Sequence, residues 1–503
     1  WTFRVHFSSG RQSVKMCCRC CGVTQQKVWV FLLAAIFLGL GLLFVIWWPD
    51  YINDIVYEIL PLSPCSRTYD KWSVNPIPVY LHMYLFNWTN ADQVRVKGVK
   101  PNFQEVGPFV YSEVKTKEDV TWYTNKTVSF YGKRVWHFEP EMSGAPLDAP
   151  ITGPHIPSLA ASNVIRDEPK FIKTAFNLAL NSNGGALYQT HTAGEWLFDG
   201  FYDQFLDYAL KLNNSMTGTI NSNRFAWFLD RNGTKEFEGL FTIHTGQGDI
   251  EKMGMIQFWN GSNHTGFYEG ECGIVNGSTA DLWKPNLEPE EHITVYITDT
   301  CRIINLVPSG ETEVRGIKAT RYVAAPDTYD NGQRDPNMKC YCPKDKQPDN
   351  CPASGATDLG PCAEGLPMYL SHPHFMYADE SYASTLTGMN PDYEKHQFFI
   401  IMERKLGIPL QVNANVMVSL LIKNDSDITI LRDVPEFYAP LFVTSSKAVI
   451  DKELAKSVKL LLNLPSIGLY VGISFIVIGV VIASIGVFLT VTHRWYGDKI
   501  NSK

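Results

Sequence analysis

The 503-residue chain has no excess of basic residues and none of the common catalytic signatures. Its 44 Lys and Arg are outnumbered by 51 Asp and Glu, which gives a net charge of −7. Such a chain offers no basic field for holding nucleic acid. It also lacks a Gly-x-Ser-x-Gly elbow, a His-Glu-x-x-His pair, a Walker loop and a dinucleotide fingerprint. We therefore expect no enzyme, no cofactor and no nucleic-acid partner.

Linkers and repeats are lacking as well. Between residues 49 and 466 there is no Ser/Gly tract, no block of like charge and no repeat with a period of tens of residues. One large globular domain is the prediction for this region, and two packed subdomains are the alternative.

What the sequence does contain is two uncharged apolar runs, Val28 to Trp48 and Ile467 to Val491. Each reaches the roughly 20 residues that a helix needs to cross a bilayer. A cleaved signal peptide is the alternative for the first run, but that run is too long and no small-x-small site follows it. The predicted organisation is a tail at 1–27, a membrane helix at 28–48, an ectodomain at 49–466, a second membrane helix at 467–491 and a tail at 492–503.

Basic residues flank both runs on the terminal side, where the positive-inside rule places the cytosol. These residues are Arg4, Arg11, Lys15, Arg19, Lys27, Arg494, Lys499 and Lys503. Both termini are therefore predicted to be cytosolic. Because the sequence starts at Trp1 and not at methionine, we expect residues to precede it.

N-glycosylation sequons occur only between the two apolar runs, which supports the same topology. The eight acceptor positions are Asn87, Asn125, Asn213, Asn232, Asn260, Asn263, Asn276 and Asn424. We expect these asparagines on the surface of an extracellular or lumenal domain.

The cysteines fall into two groups, with Cys65 apart from both. Six lie in the second half of the ectodomain, where disulfides persist: Cys272, Cys301, Cys340, Cys342, Cys351 and Cys362. Fifteen pairings are open from the sequence, and a zinc site is the alternative for the last four. Four more precede the first apolar run, at Cys17, Cys18, Cys20 and Cys21. Juxtamembrane cysteines favour palmitoylation, with unmodified thiols and a CxxC metal or redox site as the alternatives.

The ectodomain alternates between apolar and polar residues in several segments, which predicts strands. Examples are residues 79–86, 293–298 and 412–418. One stretch departs from this pattern, because residues 168–181 show helical spacing, and a second helix is predicted over residues 194–212. The expected body is rich in β-sheet and carries a short helical cluster over about residues 158–212.

The helical cluster is the predicted contact surface. Arg166, Lys170 and Lys173 are expected to form one basic face, with Phe171 and Phe176 as further candidate ligand-binding residues. A solvated helix face is the alternative. Lys115, Lys117, Lys133 and Arg134 are interpreted as ordinary strand surface, and His372-Pro373-His374 as a strand entry and not a metal site.

Small residues recur in the second apolar run, at Gly468 and Gly472 and at Gly479 and Ala483. Such pairs allow a second helix to approach closely. The partner helix is either the first span of the same chain or a second copy, so a homo-oligomer stays open.

Six short motifs occur in order along the chain. They are Gly107-Pro108-Phe109-Val110-Tyr111, Cys272-Gly273-Ile274-Val275-Asn276-Gly277, Asp299-Thr300-Cys301-Arg302, Cys340-Tyr341-Cys342, Pro373-His374-Phe375 and Gly388-Met389-Asn390-Pro391. Together they resemble the class B scavenger receptors, the family that includes fatty acid translocase and the lysosomal integral membrane protein type. The resemblance covers almost the whole chain and, among the members of the family, is strongest to the insect croquemort type.

The resemblance implies an α+β membrane protein whose ectodomain is an irregular antiparallel β-barrel with a membrane-distal helical bundle and an internal apolar tunnel. It implies three disulfides, Cys272 with Cys340, Cys301 with Cys362, and Cys342 with Cys351. It also implies ligand recognition by the bundle. The lysines that lipoprotein-binding relatives place after the first bundle helix are replaced here by Asn181-Ser182-Asn183-Gly184-Gly185.

The resulting hypothesis is a scavenger receptor that binds lipids, lipoproteins or apoptotic-cell surfaces for phagocytosis or endocytosis. The alternatives are a transporter of fatty acids, sterols or carotenoids through the tunnel and a lysosomal trafficking receptor for a lumenal protein. An acidic dileucine tail is absent from the sequence, so the plasma membrane is favoured over an endosomal or lysosomal membrane.

Overall fold

A computed structural model describes residues 22–212, 222–343, 351–363 and 365–495. They form two compact units. One unit takes in the described residues up to Glu58 and those from Val458 onwards, and the other runs from Ile59 to Ser457.

The helices of the described residues are α1 Val23–Ile59, α2 Arg67–Ser73, α3 Ile156–Val164, α4 Lys170–Ser182, α5 Gln204–Lys211, α6 Glu380–Ser384, α7 Tyr393–His396 and α8 Lys452–Val491. The strands are β1 Val79–Trp88, β2 Phe103–Trp122, β3 Thr127–Phe138, β4 Pro150–Pro154, β5 Tyr188–Thr192, β6 Phe201–Tyr202, β7 Arg224–Phe225, β8 Leu240–His244, β9 Ile256–Trp259, β10 Ile293–Ile297, β11 Arg302–Val314, β12 Ile317–Ala324, β13 Ala356–Asp358, β14 Met368–Ser371, β15 Phe399–Glu403, β16 Ile408–Ile422 and β17 Phe437–Val449.

The first unit consists of the apolar parts of α1 and α8. Their most apolar windows are only 11% and 17% buried. A core helix of a soluble protein would be mostly covered, so exposed apolar helices of this length fit two membrane spans. Both helices extend beyond the predicted runs, α1 to Ile59 and α8 back to Lys452.

Glycines bring α1 and α8 into close contact. A Cβ atom on Gly472 would lie 3.0 Å from the carbonyl oxygen of Gly41, and one on Gly479 would lie 3.0 Å from the backbone nitrogen of Leu38. Near the other end of the pair, the indole Nε1–H of Trp48 donates to the carbonyl of Leu464 at 3.0 Å. The glycines of the second span therefore pack against the first span of the same chain.

We expect Gly41→Val to separate these helices. A Cβ at Gly41 would lie 2.8 Å from both the carbonyl oxygen of Gly472 and the nitrogen of Ile476, and overpacking costs about 1–3 kcal/mol. The thermal-unfolding midpoint of the detergent-solubilised protein should fall. Gly39→Val is the matched control, because no described atom lies within 4 Å of a Cβ at that position. Equal midpoints for the two variants would contradict the packing.

The second unit is built on one large sheet, in which β1 lies between β17 and β2. The strand order along the main path is β10-β11-β12-β15-β16-β17-β1-β2-β3-β8-β9, with β14 and β13 attached through β16. All of these pairings are antiparallel. Near the two ends of the path, Ser278 forms isolated bridges with Met255, just before β9, and with Val295 of β10.

In β1 the alternation of buried and less buried side chains matches the prediction from apolar and polar residues. In β16 the burial pattern differs from that prediction. In β1, Leu81, Met83 and Leu85 are buried in the main core. In β16, Asn413 and Asn415 are buried although they are polar, and both donate to the carbonyl of Gln397, at 3.2 and 3.0 Å. Both faces of β16 are therefore covered. The hydrogen bonds to Gln397 offset the cost of burying the two amides.

The single helix predicted over residues 194–212 is wrong, because the chain breaks it. Glu195–Asp199 form a π-helical turn, and Gly200 follows with a φ of 71°. That left-handed conformation suits glycine and ends the turn. The chain then enters β6, which pairs with β7. Helix α5 starts afresh after Asp203, whose carboxylate accepts from the backbone N–H of Leu206 at 2.8 Å.

Lys115 and Lys117 are not ordinary strand surface, contrary to the prediction. Both pair with Asp281, at 3.4 and 3.0 Å, and the side chain of Lys117 is only 1% exposed. The Lys117 ammonium also lies 5.6 Å from the ring centre of Trp72 and 5.5 Å from that of Phe130. Burial lowers the pKa of Lys117, and the attraction of Asp281 opposes that shift. A single carboxylate thus pairs with one buried lysine and one half-buried lysine.

Candidate functional site

Helix α4 has an inner face that packs on the domain and an outer face that is apolar and exposed. On the inner face Leu180 is fully buried. On the outer face Phe171 and Leu178 are 71% and 70% exposed. They lie seven residues apart, with Thr174 and Ala175 between them at helical spacing, so they share one stripe. We call this stripe the outer face of α4.

Phe176 does not belong to the outer face, and its role as a ligand contact stays a prediction. Its ring packs against the main core and meets Phe205 of α5 in an edge-on contact with ring centres 6.2 Å apart. Five residues along a helix place two side chains on nearly opposite sides. Because Phe171 points outward, Phe176 therefore points inward.

The three predicted basic residues do not form an open basic face, because each contacts the segment from Lys423 to Thr429. Arg166 donates to the carbonyls of Asn424 and Lys423, at 3.1 and 3.3 Å. The Lys173 ammonium pairs with Asp425 at 2.9 Å, with both side chains nearly buried. The Lys170 ammonium pairs with Asp427 at 3.1 Å, although its side chain is 81% exposed. Only Lys170 therefore presents much of its surface to solvent.

An amide completes this contact. Asn177 donates to the carbonyl of Asp427 at 2.7 Å and accepts from the backbone N–H of Thr429 at 2.8 Å. Although burial opposes it, the hydrogen bond from Lys173 lowers the pKa of Asp425. Asp425 therefore stays ionised at neutral and mildly acidic pH, and the contact is kept. We call the segment from Lys423 to Thr429 the clasp.

A buried His–Asp pair joins the other two helices of the cluster. His155 Nε2 lies 2.8 Å from a carboxylate oxygen of Asp203, and both side chains are 3% exposed. His155 Nδ1 accepts from the backbone N–H of Ser158 at 3.2 Å. One residue caps α3 and the other caps α5, so the pair fixes the N-termini of both helices relative to each other.

The structure joins the six distal cysteines as the resemblance implies. Cα–Cα distances are 5.7 Å for Cys272–Cys340, 6.3 Å for Cys301–Cys362 and 5.4 Å for Cys342–Cys351. These distances lie in the range that a disulfide can bridge. Cys65 is an exposed free thiol. The four candidate palmitoylation cysteines, Cys17, Cys18, Cys20 and Cys21, lie outside the described residues.

The described sequon asparagines are accessible. Asn125, Asn232, Asn260, Asn263, Asn276 and Asn424 are exposed, and Asn87 is half-buried. Asn87 uses its side-chain oxygen to accept from the backbone N–H of Thr152 at 2.8 Å. Asn213 lies outside the described residues. Asn424 belongs to the clasp, so a glycan there would lie next to the helical cluster.

Sequence reasoning missed two parts of this site. Leu178 was not singled out, although its spacing from Phe171 is a helical repeat that signals a shared face. The clasp carries two acidic residues, Asp425 and Asp427, but its partners are about 250 positions away in the chain. Neither periodicity nor local spacing can reveal a contact of that range.

The fold and site define a membrane protein with two terminal spans, a large β-rich domain with disulfides, and a helical cluster that presents apolar residues to solvent. A sequence model of the CD36 family matches residues 30–490. The chain belongs to the CD36 family, and the resemblance to the class B scavenger receptors is confirmed.

Three relatives show the breadth of this similarity. Protein peste of Drosophila melanogaster is 32% identical over 461 residues, which cover 90% of this chain and 80% of that protein. Scavenger receptor class B member 1 of Bos taurus is 28% identical over 420 residues, 83% of this chain and 80% of that protein. Lysosome membrane protein 2 of Homo sapiens is 26% identical over 484 residues, 96% of each chain. Such relatives support a lipid-related receptor role at a membrane.

Proposed function

We propose that the protein is a cell-surface scavenger receptor that captures lipid-bearing particles for phagocytosis or endocytosis. Residues 49–466 face the exterior, carry N-glycans at the eight sequons and contain the three disulfides. Both tails are cytosolic, and the cysteines before the first span are palmitoylated. The ligands are apoptotic cells, anionic phospholipid, modified lipoprotein or microbial lipid.

The observation that carries this proposal is the exposed outer face of α4. Two large apolar side chains that are about 70% exposed on one helical stripe lose favourable burial unless a partner covers them. A surface with exposed acyl chains or packing defects, such as a lipid particle, offers that cover. Insertion of the apolar face of an amphipathic helix is a common mode of contact with a lipid interface.

Charge adds a preference for anionic lipid. Lys170 lies next to Phe171 in the chain, and its side chain remains 81% exposed although it pairs with Asp427. An exposed ion pair of this kind contributes little and is readily exchanged. Lys170 is therefore available to a lipid phosphate when Phe171 inserts. Arg166 and Lys173 keep the clasp in place and hold α4 in position.

A lipid transporter is the second candidate, and the arrangement of the sheet favours it. The bridges of Ser278 to Met255 and Val295 lie near the two ends of the strand path, so they support closure of the sheet into a barrel. A closed sheet can enclose an apolar passage for a fatty acid, sterol or carotenoid.

The two functions differ in what expressing cells take up. Cells that express the full chain should capture and acidify phosphatidylserine liposomes that contain a pH-sensitive dye, and capture fewer phosphatidylcholine liposomes. Increased uptake of a fluorescent fatty acid without liposome capture would support the transporter and contradict the receptor. Increase in neither assay would contradict both functions.

A further inference from the structure

A polar cavity of about 550 Å³ lies apart from the outer face of α4. Strand β2 contributes Gln104 and Glu105 to it, the turn after β14 contributes His374, and the segment through α7 contributes Asp392, Lys395 and His396. We call it the β2–α7 pocket. One wall depends on Gly388, which has a φ of 95° and whose Cβ would collide with the carbonyl of Phe103.

Two histidines and a carboxylate converge in this pocket. Potential ligand atoms of Glu105, His374 and His396 all lie within 4.8 Å of one another. The imidazole rings stack with centres 4.7 Å apart and planes at 18°. The carboxylate of Glu105 accepts from His374 Nε2 and from the Lys395 ammonium, both at 2.7 Å. Such a cluster invites comparison with a metal site.

The hydrogen bonds of the histidines oppose a metal. Nδ1 of His374 accepts from the backbone N–H of Asn390 at 3.1 Å, and Nδ1 of His396 accepts from that of Asp392 at 3.0 Å. An imidazole that accepts at Nδ1 carries its proton at Nε2 when neutral. A metal at Nε2 needs the lone pair of that nitrogen and normally a donating Nδ1–H. Both rings are therefore fixed as Nε2–H donors.

One of these donors has no acceptor among the described residues. His396 is 4% exposed, and its Nε2 is buried without a hydrogen-bond partner in the described part of the chain. A buried donor without an acceptor costs about 1–3 kcal/mol. Burial, together with the nearby His374 and Lys395, lowers the pKa of His396 to about 4. The ring is neutral at physiological pH, so its N–H is available to a ligand acceptor.

The charges around the pocket disfavour an anion as that ligand. Burial opposes ionisation of Glu105, but hydrogen bonds from His374 and Lys395 lower its pKa to about 2, so it is charged. A backbone hydrogen bond from Lys395 lowers the pKa of Asp392. Two carboxylates therefore face one ammonium and two imidazoles that each accept a backbone hydrogen bond at Nδ1. A ligand with several neutral groups that both donate and accept matches this set.

We propose that the β2–α7 pocket binds one neutral sugar residue of a glycan. A hydroxyl both donates and accepts hydrogen bonds. One hydroxyl accepts from His396 Nε2–H, and neighbouring hydroxyls donate to the remaining lone pairs of Glu105 and to Asp392. Lys395, whose side chain is half exposed, moves aside to admit the ring. A cavity of this size holds a hexose.

The test is a titration of the full-length protein in nanodiscs with methyl glycosides of mannose, glucose, galactose and N-acetylglucosamine. Binding is measured by saturation-transfer NMR. At least one glycoside should bind in the millimolar range, and His396→Phe should weaken it at least tenfold. His137→Phe is the matched control, because His137 is exposed and lies outside the pocket. If His396→Phe does not fold, a second variant replaces Gln104, an exposed residue at the rim of the pocket. Gln104→Ala should weaken glycoside binding at least threefold.

Three results would overturn the proposal. They are the absence of binding by every glycoside both before and after enzymatic deglycosylation, binding that survives both pocket variants, and tighter binding of mannose 6-phosphate or of Zn²⁺ than of the neutral sugars. The outer face of α4 is not involved, so Phe171→Glu with Leu178→Glu should leave glycoside binding unchanged.

The sugar that occupies the pocket comes either from a glycan of the same protein or from an external glycan. Asn87 lies directly opposite Gln104 in the register of β1 and β2, so a glycan on Asn87 starts close to the pocket. The titration is therefore repeated on enzymatically deglycosylated protein. Binding that appears only after deglycosylation identifies one of the protein's own glycans as occupant, and equal binding identifies an external glycan.

Discussion

Replacing Phe171 and Leu178 together with glutamate is expected to lower capture of phosphatidylserine liposomes at least tenfold. Each side chain is about 70% exposed in the free protein. Full burial of such a residue contributes about 1.5–3 kcal/mol, and each 1.4 kcal/mol is a tenfold change in affinity. Glutamate removes this gain and adds the cost of moving a carboxylate towards lipid phosphates. The measurement is liposome bound per receptor on the cell surface.

The matched control carries the same change of charge elsewhere. Val96 and Val114 are also exposed apolar residues, but they lie outside the helical cluster. Val96→Glu with Val114→Glu should keep most of the binding, as should Phe171→Leu with Leu178→Met, which preserves the apolar stripe. Equal losses in the two glutamate pairs would show a general charge effect and contradict a specific role for the outer face of α4.

Replacing Asp281 with asparagine is expected to destabilise the β-rich unit by about 3–5 kcal/mol, because it leaves a buried ammonium without its counter-charge. The Lys117 side chain is 1% exposed and is confined beside Trp72 and Phe130. It cannot reach water without unpacking this cluster. The measurement is the midpoint of thermal unfolding, monitored by tryptophan fluorescence. In cells, the fraction of the variant that is exported from the endoplasmic reticulum should fall as well.

A second change should recover most of this loss. Lys117→Met keeps a long apolar chain beside the two rings, and in Lys117→Met with Asp281→Asn no buried ammonium remains beside them. Lys117→Met alone should have a small effect, because Asp281 still pairs with Lys115 at 3.4 Å. A double variant as unstable as Asp281→Asn would contradict the electrostatic explanation and indicate a purely steric role for Asp281.

The pH dependence of the stability follows from the direction in which the pKa of Asp281 is shifted. Although burial alone would raise it, the attraction of Lys115 and Lys117 lowers the pKa of Asp281 well below its usual value. A carboxyl with a lowered folded-state pKa adds stability that is fully present above its unfolded value, about 3.9. That stability is lost only as the pH falls through the folded value. The ion pair should therefore survive the mildly acidic pH of an endosome.

Local patterns in the sequence were sufficient for the spans, the strand of residues 79–88 and helix α4. Each of these elements has one covered face or a uniform apolar surface, so periodicity reports its environment directly. The break at Gly200 was not predicted, because residues 194–212 read as one helix and the strand pairing that interrupts it comes from residues 224–225. Asn413 and Asn415 of β16 looked exposed, since polarity alone does not reveal a buried acceptor.

The candidate site divides in the same way. Phe171 was found from its place on an amphipathic helix, but the assignment of a basic face to Arg166, Lys170 and Lys173 was wrong. Charged side chains on a helix are open to solvent unless an oppositely charged segment covers them, and here that segment is distant in the chain. The burial of Lys117 was not predicted for the same reason. Its carboxylate partner, Asp281, comes from a loop that is distant in the sequence and not from a neighbouring strand.

The clasp has a consequence for how the protein is made. The ion pair between Lys173 and Asp425 joins residues 252 positions apart, whereas the disulfides span 68, 61 and 9 positions. At a synthesis rate of about 5–20 residues per second, α4 emerges from the ribosome on the order of 10–50 seconds before its partner. During that interval the cationic side chains of α4 lack the acidic partners that the clasp supplies. The contact between α4 and the clasp therefore forms only after the last part of the β-rich unit has been translated.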